Sequence, residues 1–223
     1  MMEKLLIFAP PLILAVVLHE IAHGYVAYLL GDPTAKKLGR LSLNPIRHVD
    51  PMMTLLLPGM LLLMGSPILF GGAKPVPVNP LYFKNPRRGL VLVALAGPLT
   101  NIVLAALSFG LVIILNRSEI VQGLLPAAVL WILLFWGLTG VMVNLVLALF
   151  NLLPVPPLDG GKIAVGLLPR NPALALARLE PWGLFIVFAL LASGVVSSYL
   201  RPALTYTTRA ICSELYEDGN CPF

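Results

Sequence analysis

Residues 5–30 read LLIFAPPLILAVVLHEIAHGYVAYLL, about 26 nearly uninterrupted apolar residues carrying His19, Glu20 and His23. The run is too long for the apolar region of a secretory signal and long enough to cross about 30 Å of hydrocarbon, so it reads as a retained spanning helix. A carboxylate at that depth costs about 2.5–3.5 kcal/mol on insertion scales and normally faces a cavity or a partner. The first helix therefore contains both a span and a polar site.

Composition agrees. The 223 residues are 58% hydrophobic and 11% charged, with a mean hydropathy of +0.91, far from the quarter or so of charged residues that covers a soluble domain. Disorder is excluded on the same ground. The net charge of +5 comes from basic residues in short loops between apolar runs, which orients a membrane protein and does not indicate nucleic acid. Twenty-one prolines and 19 glycines argue for broken helices, tolerated at membrane depth where the backbone is buried in protein or lines a wet cavity. Cys212 and Cys221 lie in the last dozen residues and indicate neither a disulfide framework nor a metal knuckle.

Three further runs are long enough to span: 89–115, 124–150 and 182–200, the last flanked by Trp182 and Tyr199 as interfacial anchors. Residues 52–70 are apolar but carry Pro58-Gly59 and then Gly65, Ser66 and Pro67. If this stretch dips in and returns, segments 31–51, 71–88 and 151–181 share one side with 11 of the 15 Lys and Arg, leaving only Lys4, Arg117, Arg201 and Arg209 opposite. The positive-inside rule then places the basic segments in the cytoplasm and both chain ends outside. GGAKPVPVNP (71–80) alternates Pro with Val and cannot be helical, so an extended, strand-like loop is expected. The fold class expected is an all-α polytopic membrane protein. Residues 1–201 would form a single membrane domain and 202–223 a short polar tail.

His19-Glu20-Ile21-Ala22-His23 is an H-E-x-x-H. On a helix, i and i+4 share a face, so both imidazoles can address one ion while Glu20 stays close enough to act on water beside it. Zinc is the natural occupant. A chance match is expected in about one chain of this composition in a thousand. The other readings of the triplet are a polar seam between helices and a proton relay in a transporter.

A catalytic zinc takes three protein ligands and leaves a position open. His48 and a few acids are candidates for the third. Asp159 stands out, because it follows three prolines and precedes two glycines in NLLPVPPLDGG (151–161), an unwound segment at the end of a span. Its local alternative is an N-cap for the next helix. His48 is either a residue supporting or contacting the substrate near the site or a solvated loop residue, while Asn101 and Asn144 are expected to hydrogen-bond between helices.

HEIAH in an early helix, together with NLLPVPPLDGG in a later one, resembles the site-2 protease family of intramembrane zinc metalloproteases, peptidase family M50. The likeness includes GRLSLNPIRHVDP (39–51), GGAKPVPVNP (71–80) and AGPLTN (96–101), in family order over about residues 15–185. The resemblance implies His19, His23 and Asp159 as ligands of one zinc ion, Glu20 as general base, and Asn151 as a group that binds substrate backbone or the developing oxyanion. It implies a three-helix catalytic core plus a further spanning helix, and a multi-pass protein of the bacterial cell membrane with its active site toward the cytoplasm. Single-span membrane proteins or signal-peptide remnants are the implied substrates. Within these 223 residues neither the PDZ nor the CBS domain of many members is expected. The rival function from another class is a zinc or proton transporter built on the same His, Glu and Asp.

Overall fold

The computed structural model describes residues 2–56, 59–60, 63 and 71–215. Among them the chain is helical with no strand. Helix α1 (Met2–Leu29) carries Pro10 and Pro11 and is followed by the short α2 (Thr34–Lys37). A 3-10 turn at Pro45–His48 and a π turn at Pro51–Leu56 lead to the proline-rich segment 71–79, which has no regular hydrogen-bonded structure. Helix α3 (Pro86–Arg117) is 32 residues long, α4 (Glu119–Leu124) is short, and α5 (Ala127–Asn151) returns across the bundle. Then come α6 (Asp159–Leu167), α7 (Arg170–Ala177), α8 (Gly183–Ala192) and α9 (Val195–Leu215).

Among the described residues, four stretches are long and apolar enough to cross a membrane: Phe8–Leu29, Pro86–Arg117, Ala127–Asn151 and Arg170–Ala192. Capping explains the start of the second: Pro86 sits in its first turn, where the missing N–H is no loss, and the Asn85 side chain accepts from Arg88 N–H. Three of the four agree with the apolar runs. The fourth does not, because 182–200 is two helices. Gly194 takes φ +76° and ends α8 after Ala192, a backbone state that glycine adopts without strain. The candidate span takes in α7 and α8, from Arg170 to Ala192.

Helix α9 continues to Leu215, so residues 202–215, expected in a polar tail, are helical. Val196, Leu200, Ile211 and Cys212 are buried, and Arg117 at the end of α3 pairs with Glu214 at 2.6 Å. The interior of 52–70, expected to be re-entrant, lies largely outside the described residues. Its two flanks are adjacent: Gly72 N–H donates to Met53 O at 3.0 Å, and Thr54 Oγ1 donates to Gly72 O at 2.6 Å.

Helices α1, α3 and α5 pack on one another, and α6 packs on α3. Outward residues such as Leu107, Ile114, Trp131 and Phe185 are exposed, as a lipid-facing surface requires. The polar interior is correspondingly small: His19, His23, Asn101, Asn144 and Asp159 are buried where the three long helices meet.

Candidate metal centre

His19 and His23 lie one turn apart on α1 and both face the bundle interior. Their Nε2 atoms are 3.0 Å apart, with rings nearly perpendicular at 89°. Asp159 Oδ2 stands 3.2 Å from His19 Nε2 and 3.1 Å from His23 Nε2. The carboxylate comes from a chain position more than 130 residues away, so the proline loop after α5 must deliver it. Gly160 and Gly161 make that loop possible, because a β-carbon on either would stand within 2.4 Å of backbone atoms of residues 152–156. Asp159 is the first residue of α6 and the helix has no side-chain cap bond. The N-cap alternative is therefore not what its carboxylate does.

The other ring nitrogens settle where the protons are. His19 Nδ1 lies 2.6 Å from Asn101 Oδ1, and His23 Nδ1 lies 2.7 Å from Val93 O. Both partners are acceptors, so both Nδ1 atoms donate, and in the neutral ring each Nε2 then presents a lone pair. Asp159 Oδ2 is buried, and among the described residues its only polar neighbours at this range are the two Nε2 atoms. With the two rings neutral, three electron-rich atoms converge, an arrangement a cation resolves. Tetrahedral zinc donors about 2.0–2.1 Å from the ion stand about 3.3 Å apart, close to the 3.0–3.2 Å found here. Among the described residues these three form the group that could hold a metal ion.

Space has been kept for it. A β-carbon on Gly97 of α3 would lie 2.5 Å from both His19 Cε1 and His23 Nε2, so only glycine lets α3 approach the imidazoles this closely. On the far side of the carboxylate, Lys162 Nζ is 3.3 Å from Asp159 Oδ1. That contact leaves Oδ2 as the oxygen turned toward the histidines.

Glu20 Oε2 accepts the backbone N–H of Val76 at 2.9 Å, which ties the 71–79 segment to the H-E-x-x-H turn. Arg40 clamps the same segment, donating to Lys74 O and to Arg47 O. Asn151 ends α5 half-buried, and its Nδ2 donates to Leu147 O at 3.0 Å. His48 is buried in its own loop, with Nε2 2.8 Å from Ser42 O and its backbone O accepting from Lys74 N–H. It is not in the converging group.

Asn101 and Asn144 do hydrogen-bond between helices, at 2.8 Å. The sequence did not disclose that Asn101 also meets His19, or that Gly97 and the Val76 amide border the site. AGPLTN was the available signal for the first two.

The profile of peptidase family M50 matches residues 118–193. "Putative zinc metalloprotease YwhC" of Bacillus subtilis is 43% identical over 189 residues, covering 85% of this chain and 81% of that protein. "Putative zinc metalloprotease Rip2" of Mycolicibacterium smegmatis is 34% identical over 190 residues, 84% of this chain and 67% of its own length. "Putative zinc metalloprotease MJ0611" of Methanocaldococcus jannaschii is 43% identical over 72 residues, 32% of this chain and 31% of that protein. No solved structure matches the chain. With a donor set that fits zinc inside a bundle of apolar helices, and a relative of this identity and coverage, the chain belongs to the site-2 protease family of zinc metalloproteases, peptidase family M50.

Proposed function

We propose that this protein is an intramembrane endopeptidase that cuts transmembrane segments, with zinc held by His19, His23 and Asp159 and with Glu20 as general base. The observation that carries the proposal is the convergence of three buried acceptors, His19 Nε2, His23 Nε2 and Asp159 Oδ2, on a helix that is itself a candidate span. His23 lies six residues before Leu29, about 9 Å along the helix axis, so the centre sits inside the span and nearer its C-terminal end. That end leads into the basic segment 31–51, which by the positive-inside rule is cytoplasmic.

Zinc supplies Lewis acidity, acidifying water and polarising the scissile carbonyl. Glu20 removes a proton from the attacking water and returns it to the leaving amine, and its hydrogen bond from Val76 holds the carboxylate in place. Asn151, at the α5 terminus beside the loop that delivers Asp159, donates to the substrate backbone. The side chains of α1, α3 and α5 keep the site apart from lipid.

A substrate helix must unwind before its carbonyls can be attacked, and segment 71–79 offers an extended partner. The N–H groups of Lys74 and Val76 are already engaged by His48 O and Glu20, and Pro75 and Pro77 have none. An incoming strand therefore donates to carbonyls of this segment other than those of Gly72, Lys74 and Pro75, which already accept from Thr54 and Arg40. The substrates proposed are single-span membrane proteins or signal-peptide remnants.

The structure supports the topology at both ends of the bundle. Arg87 at the start of α3 donates to Leu168 O, which joins two of the basic segments. At the other end of α3, Arg117 meets Glu214. Reporters fused at Pro80 and Asn171 that face opposite sides of the membrane would contradict this arrangement.

The test is purified protein in detergent offered a single-span substrate, with and without a zinc chelator. Chelator-sensitive cleavage inside the transmembrane segment is expected. Zinc flux into proteoliposomes without any cleavage would support the transporter instead.

A further inference from the structure

We infer that Asn101 and Asn144 form a directional amide relay that fixes which nitrogen of His19 faces the metal, making Asn101 a positioning residue for the centre. The inference rests on the ligand set proposed above. Its logic starts at a backbone carbonyl on α5. Gly140 O can only accept, and Asn144 Nδ2 lies 2.8 Å from it, so the Asn144 amide is oriented with Oδ1 toward α3. Asn101 Nδ2 is 2.8 Å from that oxygen and 3.3 Å from Ala15 O of α1. Both are acceptors, so Asn101 must turn its own Oδ1 to His19 Nδ1, at 2.6 Å. An amide oxygen cannot donate. The ring proton is therefore placed on Nδ1, and Nε2 keeps its lone pair.

The two histidines are set by different devices. His23 Nδ1 donates to Val93 O, a backbone carbonyl that cannot reverse. His19 depends on a side-chain amide, which in isolation could present either its oxygen or its nitrogen. The relay removes that choice. Asn101 is 0% exposed and Asn144 is 4% exposed, so water does not compete, and within a bundle of spanning helices every donor and acceptor must find a protein partner. A neutral amide does this without the cost of a second buried carboxylate. The same bonds tie α1, α3 and α5 together at the level of the metal.

The experiment is zinc affinity of the purified full-length chain in detergent, measured by competition with a chromophoric chelator. Asn101→Leu should bind zinc about 10–100-fold more weakly, the usual cost of losing the partner that orients a ligand. Asn101→Asp keeps an acceptor for Nδ1 but sets its second oxygen against Asn144 Oδ1 and Ala15 O, so it should bind zinc less tightly than wild type yet clearly more tightly than Asn101→Leu. A purely structural role would weaken both variants alike, and that result, or wild-type affinity in Asn101→Leu, overturns the inference. Should Asn101→Leu not fold, nitrogen NMR of the metal-free, histidine-labelled wild type near pH 8 decides. The proton on His19 Nδ1 is expected, and a proton on Nε2 contradicts the relay. His19→Ala separates the two levels: if it keeps wild-type zinc affinity the ligand set itself is wrong, whereas if it strips zinc and Asn101→Leu does not, only the relay fails.

Discussion

Val76 donates its backbone N–H to Glu20 Oε2 at 2.9 Å, across 56 residues of chain. The proline-rich segment therefore holds the residue proposed as the base, in addition to any role toward substrate. Val76→Pro would remove this donor between two existing prolines, where an extended backbone is already imposed. Losing one hydrogen bond to a charged group should lower kcat about tenfold or more, with zinc content and KM nearly unchanged. Val76→Ala keeps the N–H and should retain most activity. Equal kcat in wild type and Val76→Pro, measured on one substrate, would remove the segment from the positioning of Glu20.

Gly97 predicts a steric test of the centre. In Gly97→Ala the new β-carbon would lie 2.5 Å from His19 Cε1 and His23 Nε2, so the imidazoles or α3 must shift. Zinc affinity should fall at least about tenfold, since ligand donors tolerate displacements of only about 0.2 Å. Metal analysis with wild-type zinc occupancy at limiting zinc would show that the ligands are not where this packing puts them.

Asp159 and His48 part on metal content. Asp159→Ala removes one of three converging donors and should lose zinc and activity together. His48→Ala should keep zinc, because His48 bonds Ser42 O and lies outside the donor group; its cost should appear as about 1 kcal/mol or more of stability from the lost hydrogen bond to Ser42 O and the lost packing of a buried side chain. Zinc lost from His48→Ala and kept by Asp159→Ala would reverse the assignment.

Asp32, beyond the end of the first span, should make stability depend on pH. Burial raises its pKa, but donors from Asn79 N–H and from the N–H and hydroxyl of Thr34 outweigh burial and hold the carboxyl below its usual range. A depressed carboxylate pKa contributes stability that is fully present above the unfolded value of about 3.9 and is lost as pH falls through the folded value. Asp32→Asn should therefore be less stable than wild type by about 1–3 kcal/mol at pH 7. The gap in melting temperature should narrow below about pH 4. A gap that widens on acidification would show the opposite sign of coupling.

What could be read from the sequence follows the range of each physical signal. His19 and His23 are four residues apart, and helical periodicity alone puts them on one face. Asp159 meets them across more than 130 residues; nothing local favoured ligation over an N-cap, and only the likeness to a family connected the two motifs. His48 was open between supporting the site and a solvated loop, and it proved to be buried within its own loop, which composition cannot reveal. Hydropathy found the long spans because length and apolarity are what a bilayer selects. It missed the break at Gly194 because a sum of apolarity is blind to a single backbone dihedral, and it undervalued 202–215, where buried Ile211 and Cys212 are spaced among polar residues. The contact between Asn101 and His19 belongs to tertiary packing, and the sequence shows only two asparagines in apolar runs.

The central claim is that Glu20 works as a base beside a zinc ion held by other side chains within the membrane bundle. Its most direct test is Glu20→Gln, purified and assayed in parallel with wild type for bound zinc and for cleavage of a single-span substrate. The account predicts about one zinc per chain in both proteins, cleavage within the transmembrane segment by wild type, and a loss of at least about 100-fold in the variant. Cleavage by Glu20→Gln near the wild-type rate, or loss of zinc along with activity, would contradict it.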